Sequence, residues 1–357
     1  VQITGDFLPT KQIDTPVGKY DAPGVADLVK DDKGVWSFTS TNLSPELYSY
    51  NLILDGVKIV DPGSVYITRD ITSETNIFIL SDKKGDCGDL YTVNEVPHGN
   101  VSKVWYDSPT LKMQRRMTVY TPAGYDKGKD YPVLYLLHGA GGDEDAWTTL
   151  GRAQHILDNL IATGKAKPMV VVMTNGNPNC QAAPGEWSAG MYVPSFYGYQ
   201  GAKAVATMDE SFPDVMNYVE SHYKVGKDKA HRAICGLSMG GGHSFDISRR
   251  FPTKFDYVGL FSAGLHVGKT GDFRSDFYKM LQEDEEAKQQ LATLFKNKPK
   301  LYWIGMGKTD FLYKSTAGLR RYFDEKGYKY TYMETEGGHI WRNWRVYLTE
   351  FAQKIFK

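Results

Sequence analysis

The stretch Gly236-Leu237-Ser238-Met239-Gly240 narrows the fold more than any other part of the chain. It is a G-x-S-x-G pattern, preceded by His231-Arg232-Ala233-Ile234-Cys235 and followed by Gly240-Gly241-Gly242-His243-Ser244-Phe245-Asp246-Ile247. The run before it reads as a buried strand, and the stretch after it as a helix continuing to Arg250, ahead of Pro252. A strand that turns sharply into a helix needs small neighbours, and it lifts the serine hydroxyl to the carboxyl end of a sheet. The pattern alone also arises by chance, as a glycine-rich helix entry around a buried serine, so its context has to decide.

An activated serine needs a base to take its proton and an acid to orient that base, and at such elbows they follow in the order serine, Asp or Glu, histidine. Leu301-Tyr302-Trp303-Ile304-Gly305-Met306-Gly307-Lys308-Thr309-Asp310 is an apolar strand that breaks at glycines and delivers Asp310. A strand expected over Tyr328–Met333 leads into Glu336-Gly337-Gly338-His339, with a helix expected from Trp341 to Ile355. Each candidate follows a strand, where open α/β sheets carry their functional loops. The reading is therefore Ser238 as nucleophile, His339 as base and Asp310 as acid. Glu334 and Glu336 are acidic alternatives, but they lie very near His339 in sequence. An oxyanion hole is expected after the buried strand Val133–Leu137, where His138-Gly139-Ala140-Gly141-Gly142 lets backbone N–H groups approach a ligand. Its two donors are assigned to the N–H groups of Ala140 and Met239.

The surrounding pattern is a βα alternation. Strands are expected at Met169–Thr174, Arg232–Cys235 and Tyr257–Phe261, besides those above. Helices are expected at Arg152–Thr163, Asp214–His222, Asp276–Phe295 and Ala317–Glu325, and antiparallel edge strands between Val101 and Thr121. The class is α/β with a mostly parallel sheet. The segment from Asn175 to Gln200 fits neither period and carries Pro178, Pro184, Pro194, Trp187, Tyr192, Phe196, Tyr197 and Tyr199. A loop of this length inside a compact domain is usually functional, so Trp187, Tyr192 and Tyr199 are candidate substrate-binding residues, Trp187 foremost. Among the other histidines, His138 is expected to hold the oxyanion loop and His243 to face away from Ser238.

Residues 1–95 differ. Gly34–Thr39 alternates, Tyr48, Tyr50, Leu52 and Leu54 share one strand face, and Asp55-Gly56 signals a hairpin into Val57–Val60. A small all-β sandwich is expected there, with Trp36, Tyr48 and Tyr50 in its core, and the α/β domain over 96–357.

Lys plus Arg and Asp plus Glu number 42 each, which gives no argument for nucleic acid or an anionic membrane as partner. No apolar run is long enough to span a membrane. The three cysteines make neither a disulfide framework nor a metal cluster, although Cys87 and Cys180 could pair, and no H-E-x-x-H or paired C-x-x-C implies a metal or cofactor. No signal peptide is visible, but a start at Val1 suggests a mature or trimmed form, so this does not point to the cytoplasm; a secreted, periplasmic or cell-surface protein is expected. Aromatics make 13% of the chain, which suits the binding of sugar rings or phenolic acids. Oligomeric state stays open.

The set HGAGG, GLSMGG, GKTD and GGHIW resembles the esterase-D-like branch of the α/β-hydrolases, and within it bacterial feruloyl esterases and related carbohydrate esterases of family 1. The resemblance covers residues 98–357. It implies the α/β-hydrolase fold, with Ser238 matching the nucleophile, Asp310 the acid, His339 the base, and Ala140 and Met239 the backbone donors. It further implies a hydroxycinnamoyl ester on arabinoxylan, or a xylo-oligosaccharide, as substrate. Acetylated xylan and siderophore or cyclic esters are alternatives. The run from Trp36 to Pro62 resembles the early-set immunoglobulin-like modules of the family 48 carbohydrate-binding type. Two other classes stay open: a non-catalytic glycan-binding protein, and acyl transfer to a sugar by the same residues.

Overall fold

The computed structural model describes residues 1–15, 18–192, 204–267 and 276–357, in two compact units, Val1–Glu95 and Val96–Lys357. The first unit is all-β apart from a short helix at Cys87–Tyr91. Its main sheet is antiparallel and six-stranded, in the order Gly24–Asp27, Gln2–Gly5, Glu46–Leu54, Ser73–Leu80, Ile67–Asp70, with Val57–Ile59 added to Glu46–Leu54. Two-stranded ribbons at Lys11–Thr15 with Gly18–Ala22, and at Val29–Lys30 with Trp36–Ser37, complete it. The hairpin at Asp55-Gly56 is a two-residue turn with φ of 50° and 84°, pairing Leu54 with Val57. Tyr48 is buried against Phe7 and Phe78, and Tyr50 is half-buried with its hydroxyl donating to Asp61 at 2.8 Å. Trp36 departs from its expected core position and is 43% exposed. Its strand is only two residues long, too short to present a buried face, and the Lys30 ammonium sits over its ring instead.

In the second unit, eight strands form one sheet: β1 (Asn100–Ser108), β2 (Met113–Thr121), β3 (Val133–Leu137), β4 (Val170–Thr174), β5 (Arg232–Leu237), β6 (Tyr257–Phe261), β7 (Leu301–Gly307) and β8 (Thr331–Thr335). Their order is β1-β2-β4-β3-β5-β6-β7-β8. The pairs β1/β2 and β2/β4 are antiparallel and the rest are parallel. This is the α/β-hydrolase architecture. Every residue of β3, β4, β5 and β6 is buried, as near-continuous apolar strands covered on both faces must be. The strand order reverses at β3, between β4 and β5, so the loops at the carboxyl ends there open the crevice in which such sheets bind ligands.

The helices are α1 (Ala146–Thr149), α2 (Ala153–Ala162), α3 (Met208–His222), α4 (Met239–Arg250), α5 (Phe277–Glu283), α6 (Glu285–Lys296), α7 (Tyr313–Lys326) and α8 (Trp341–Ala352). α7 starts four residues before the expected Ala317 and α8 ends at Ala352 rather than Ile355, and two others depart further from the sequence expectation. α3 starts at Met208 and carries Pro213 inside, because Thr207 and Glu210 form a reciprocal capping box that fixes the entry upstream of the proline. The single helix expected over Asp276–Phe295 is broken at Asp284, which leaves helical geometry (φ −102°, ψ 94°) and caps α6 by accepting from the Ala287 N–H at 2.8 Å. The last strand, β8, runs Thr331–Thr335 rather than Tyr328–Met333, bringing its end closer to His339.

Candidate active site

Ser238 sits between β5 and α4 at φ 52°, ψ −115°, a backbone conformation that non-glycine residues seldom adopt. Packing explains the flanking glycines. A Cβ on Gly236 would come within 2.6 Å of the Gly240 carbonyl, and one on Gly240 within 2.5 Å of the His138 oxygen. The elbow is fixed by its own backbone: Ser238 N–H donates to Phe261 O at 2.9 Å, and Ser238 O accepts from Gly242 N–H at 3.0 Å and Gly264 N–H at 2.9 Å.

The loops after β7 and β8 are stitched together. Lys308 N–H donates to Thr335 O at 2.9 Å and Thr309 N–H to Gly337 O at 3.0 Å. Gly307 has no side chain because a Cβ there would lie 2.4 Å from the Gly337 oxygen. Asn343 at the start of α8 donates to Gly338 O at 2.9 Å. The result sets His339 Nδ1 against both carboxylate oxygens of Asp310, at 3.1 and 2.9 Å. Asp310 is buried, and its Oδ1 also accepts from Leu312 N–H at 2.9 Å. Phe311 and Trp344 flank the imidazole, with ring centroids 4.5 and 4.9 Å away. The alternative acids are engaged elsewhere. Glu334 accepts from the hydroxyls of Tyr313 and Tyr332, which hold its carboxyl below the usual carboxylate range. Glu336 pairs with Lys308.

The loop after β3 passes directly beside the elbow, since a Cβ on Gly139 would lie 3.2 Å from that of Ser238. His138, buried, fixes this loop from below. Its Nδ1 donates to Gly139 O at 2.7 Å and its Nε2 accepts from Gly176 N–H at 2.7 Å, a pairing that requires the neutral ring. Desolvation holds its pKa down, and holds that of the half-buried His243, whose Nδ1 is shielded from solvent, down to about 4. Among the described residues, no group accepts from the backbone N–H of Ala140 or Met239.

Of the proposed wall residues, Trp187 is half-buried, Tyr192 stands 93% exposed, and Tyr199 lies outside the described residues. The anchors of this segment escaped sequence reasoning. Arg115, buried in β2, donates from Nη2 to Asn175 O and Asn177 O at 2.7 Å each and from Nε to Cys180 O at 3.2 Å. Its neighbour Arg116 points to the other face of the sheet and gathers carboxylates from two loops. Both signals were present as two consecutive arginines inside an expected strand. Cys180 and Cys235 are buried thiols rather than half-cystines, and burial raises Cys180 to about 11. No group of three His, Cys, Asp or Glu converges as metal ligands would among the described residues, and no helix there is long and apolar enough to cross a membrane.

Over 341 residues the chain is 32% identical to the endo-1,4-beta-xylanase/feruloyl esterase of Xylanibacter ruminicola, a match covering 92% of this chain and 41% of that protein. The chain thus spans less than half of that relative's length. It is 23% identical over 271 residues to the acetyl esterase of Caldicellulosiruptor saccharolyticus, covering 70% of this chain and 90% of that one. A CE1 ferulic acid esterase from the anaerobic fungus Anaeromyces mucronatus, solved without substrate, superposes with a TM-score of 0.55 at 26% identity over 76% of this chain and 96% of its own. The Esterase family model, described as "Putative esterase", matches residues 108–355. That match runs from the last residue of β1 to just beyond α8, well over half of the sequence, and the chain belongs to this esterase family.

Proposed function

We propose that the protein is a serine hydrolase that releases hydroxycinnamic acids, ferulic acid foremost, from ester links on plant arabinoxylan. The observation that carries this reading is the contact of His339 Nδ1 with both Asp310 oxygens, on loops stitched together in the same sheet as the elbow serine. With Nδ1–H committed to Asp310, the imidazole presents Nε2 as the basic nitrogen. Ser238 Oγ attacks the ester carbonyl carbon as His339 Nε2 takes its proton, and the developing oxyanion is met by the N–H groups of Ala140 and Met239. Collapse breaks the bond to the sugar oxygen, which receives the proton from His339. A water, activated by the same imidazole, then releases the acid and regenerates Ser238.

The feruloyl preference draws support from the names of the Xylanibacter and Anaeromyces relatives, and from the aromatic segment around Trp187. Acetyl ester hydrolysis is the second reading, favoured by the likeness to the Caldicellulosiruptor acetyl esterase. A polymeric substrate cannot enter the cytoplasm, so this reading places the enzyme's work outside it. The all-β unit is read as a brace rather than a glycan-binding module, because Tyr48 and Tyr50 are committed to packing and hydrogen bonding. The deciding assay compares methyl ferulate, an aryl acetate and acetylated xylan. Ser238→Ala should lower kcat on whichever ester is turned over by about 10⁶. A variant retaining a tenth of the activity would remove Ser238 from the mechanism.

A further inference from the structure

Arg116 is 5% exposed and its guanidinium is divided among three carboxylates from two loops. Nε donates to Glu144 at 2.7 Å and Nη2 to Asp145 at 3.2 Å, both on the stretch that follows the oxyanion loop. Nη1 donates to Glu186 at 2.7 Å, on the aromatic segment and adjacent to Trp187. Glu144 has no exposed surface, and each of its oxygens is spoken for. Oε1 also accepts from Ala183 N–H at 2.8 Å, and Oε2 accepts from the Asn175 amide at 3.0 Å. Asn175 Oδ1 in turn accepts from Asn177 N–H at 2.9 Å. One planar cation therefore ties the oxyanion loop to the segment holding Trp187, with fork geometry that fixes direction as well as distance.

We propose that Arg116 is a positioning residue with two separable arms. The Glu144 arm sets the oxyanion donors against Ser238. The Glu186 arm sets Trp187 as the wall against which an aromatic acyl group is bound. The inference rests on the ester-hydrolase reading above, and its second arm also rests on an aromatic acyl substrate. The two arms differ in what they should do to kinetics. Misplacing an oxyanion donor weakens an interaction made in the transition state, so kcat falls for every ester. Loosening a pocket wall weakens binding only of acyl groups large enough to touch it, so KM rises selectively.

The test uses the full chain with methyl ferulate and 4-nitrophenyl acetate. Glu186→Gln, at a carboxylate that is 53% exposed, should shift the ferulate-to-acetate ratio of kcat/KM about tenfold, through KM for ferulate. Glu144→Gln turns an amide N–H toward Asn175, and kcat should fall about 100-fold on both esters with their ratio preserved. The double variant Glu144→Gln with Asn175→Asp restores a donor–acceptor match at that contact and should recover most of kcat. Thermal melts of each variant separate this from loss of folding. Equal effects of Glu186→Gln on both esters, or failure of the double variant to recover kcat while it melts like wild type, would overturn the proposal. A wild type inactive on methyl ferulate would sink the feruloyl reading alone. The hub would then be read on 4-nitrophenyl acetate against 4-nitrophenyl phenylpropionate.

Discussion

Asp310 gives its Oδ1 two tasks, accepting from His339 Nδ1 and from the backbone of Leu312. The backbone bond locks the carboxylate, and the carboxylate locks the imidazole tautomer. Asp310→Asn keeps the shape but replaces one acceptor oxygen with a donor, so the ring is driven toward the tautomer whose Nε2 bears the proton. The expected loss is about 10⁴ in kcat, read on any ester the wild type turns over. Glu334→Gln and Glu336→Gln should stay within about twofold of wild type, since their carboxylates are engaged by tyrosines and Lys308. The reverse pattern would reassign the acid.

At the level of elements, each expected catalytic residue stands out in the sequence because a strand gives way to glycines around it, a buried strand for Ser238 and Asp310 and the partly exposed β8 for His339. Those glycines answer to contacts the structure makes explicit: Gly236 with Gly240, Gly240 with His138, Gly307 with Gly337. The alternation of strands and helices was legible for the same reason, as each period is local. What could not be read are the long-range pairings. Arg116 meets Glu144 and Glu186, partners 28 and 70 positions away, and nothing in the local pattern distinguishes either acid from a solvated one. Trp36 was misread because alternation does not reveal how few residues will actually pair. The start of α3 was legible but overruled by Pro213, although the Thr207–Glu210 box is the stronger signal. Thr207→Ala removes the acceptor for the Glu210 N–H. It should cost about 1 kcal/mol of stability, measurable as a lower denaturant midpoint at unchanged slope.

Over the whole molecule, His138 is buried and His243 half-buried, and both are kept neutral by desolvation, with folded-state pKa values below the ordinary 6.5. The unfolded chain therefore binds more protons than the folded one between that value and about 4 for His243. Their stabilisation is complete above pH of about 6.5 and is lost as pH falls below it, for His243 down to about 4, by up to about 1.4 kcal/mol per pH unit for a ring. Melting temperatures taken across this window check it, and a flat profile would contradict it. Deleting residues 1–95 tests the brace. The melting temperature should fall while kcat on methyl ferulate changes by less than about twofold, and binding of the isolated unit to a xylan affinity gel would instead favour a glycan-binding role. The elbow has a wider consequence. Ser238 occupies a conformation that costs on the order of 1–3 kcal/mol for a residue with a side chain, so the polypeptide would be more stable with glycine at that point and chemically inert. Laboratory selection of this protein for heat resistance alone would therefore reward losing its reactivity, and a screen for a hardier enzyme has to read turnover at every round.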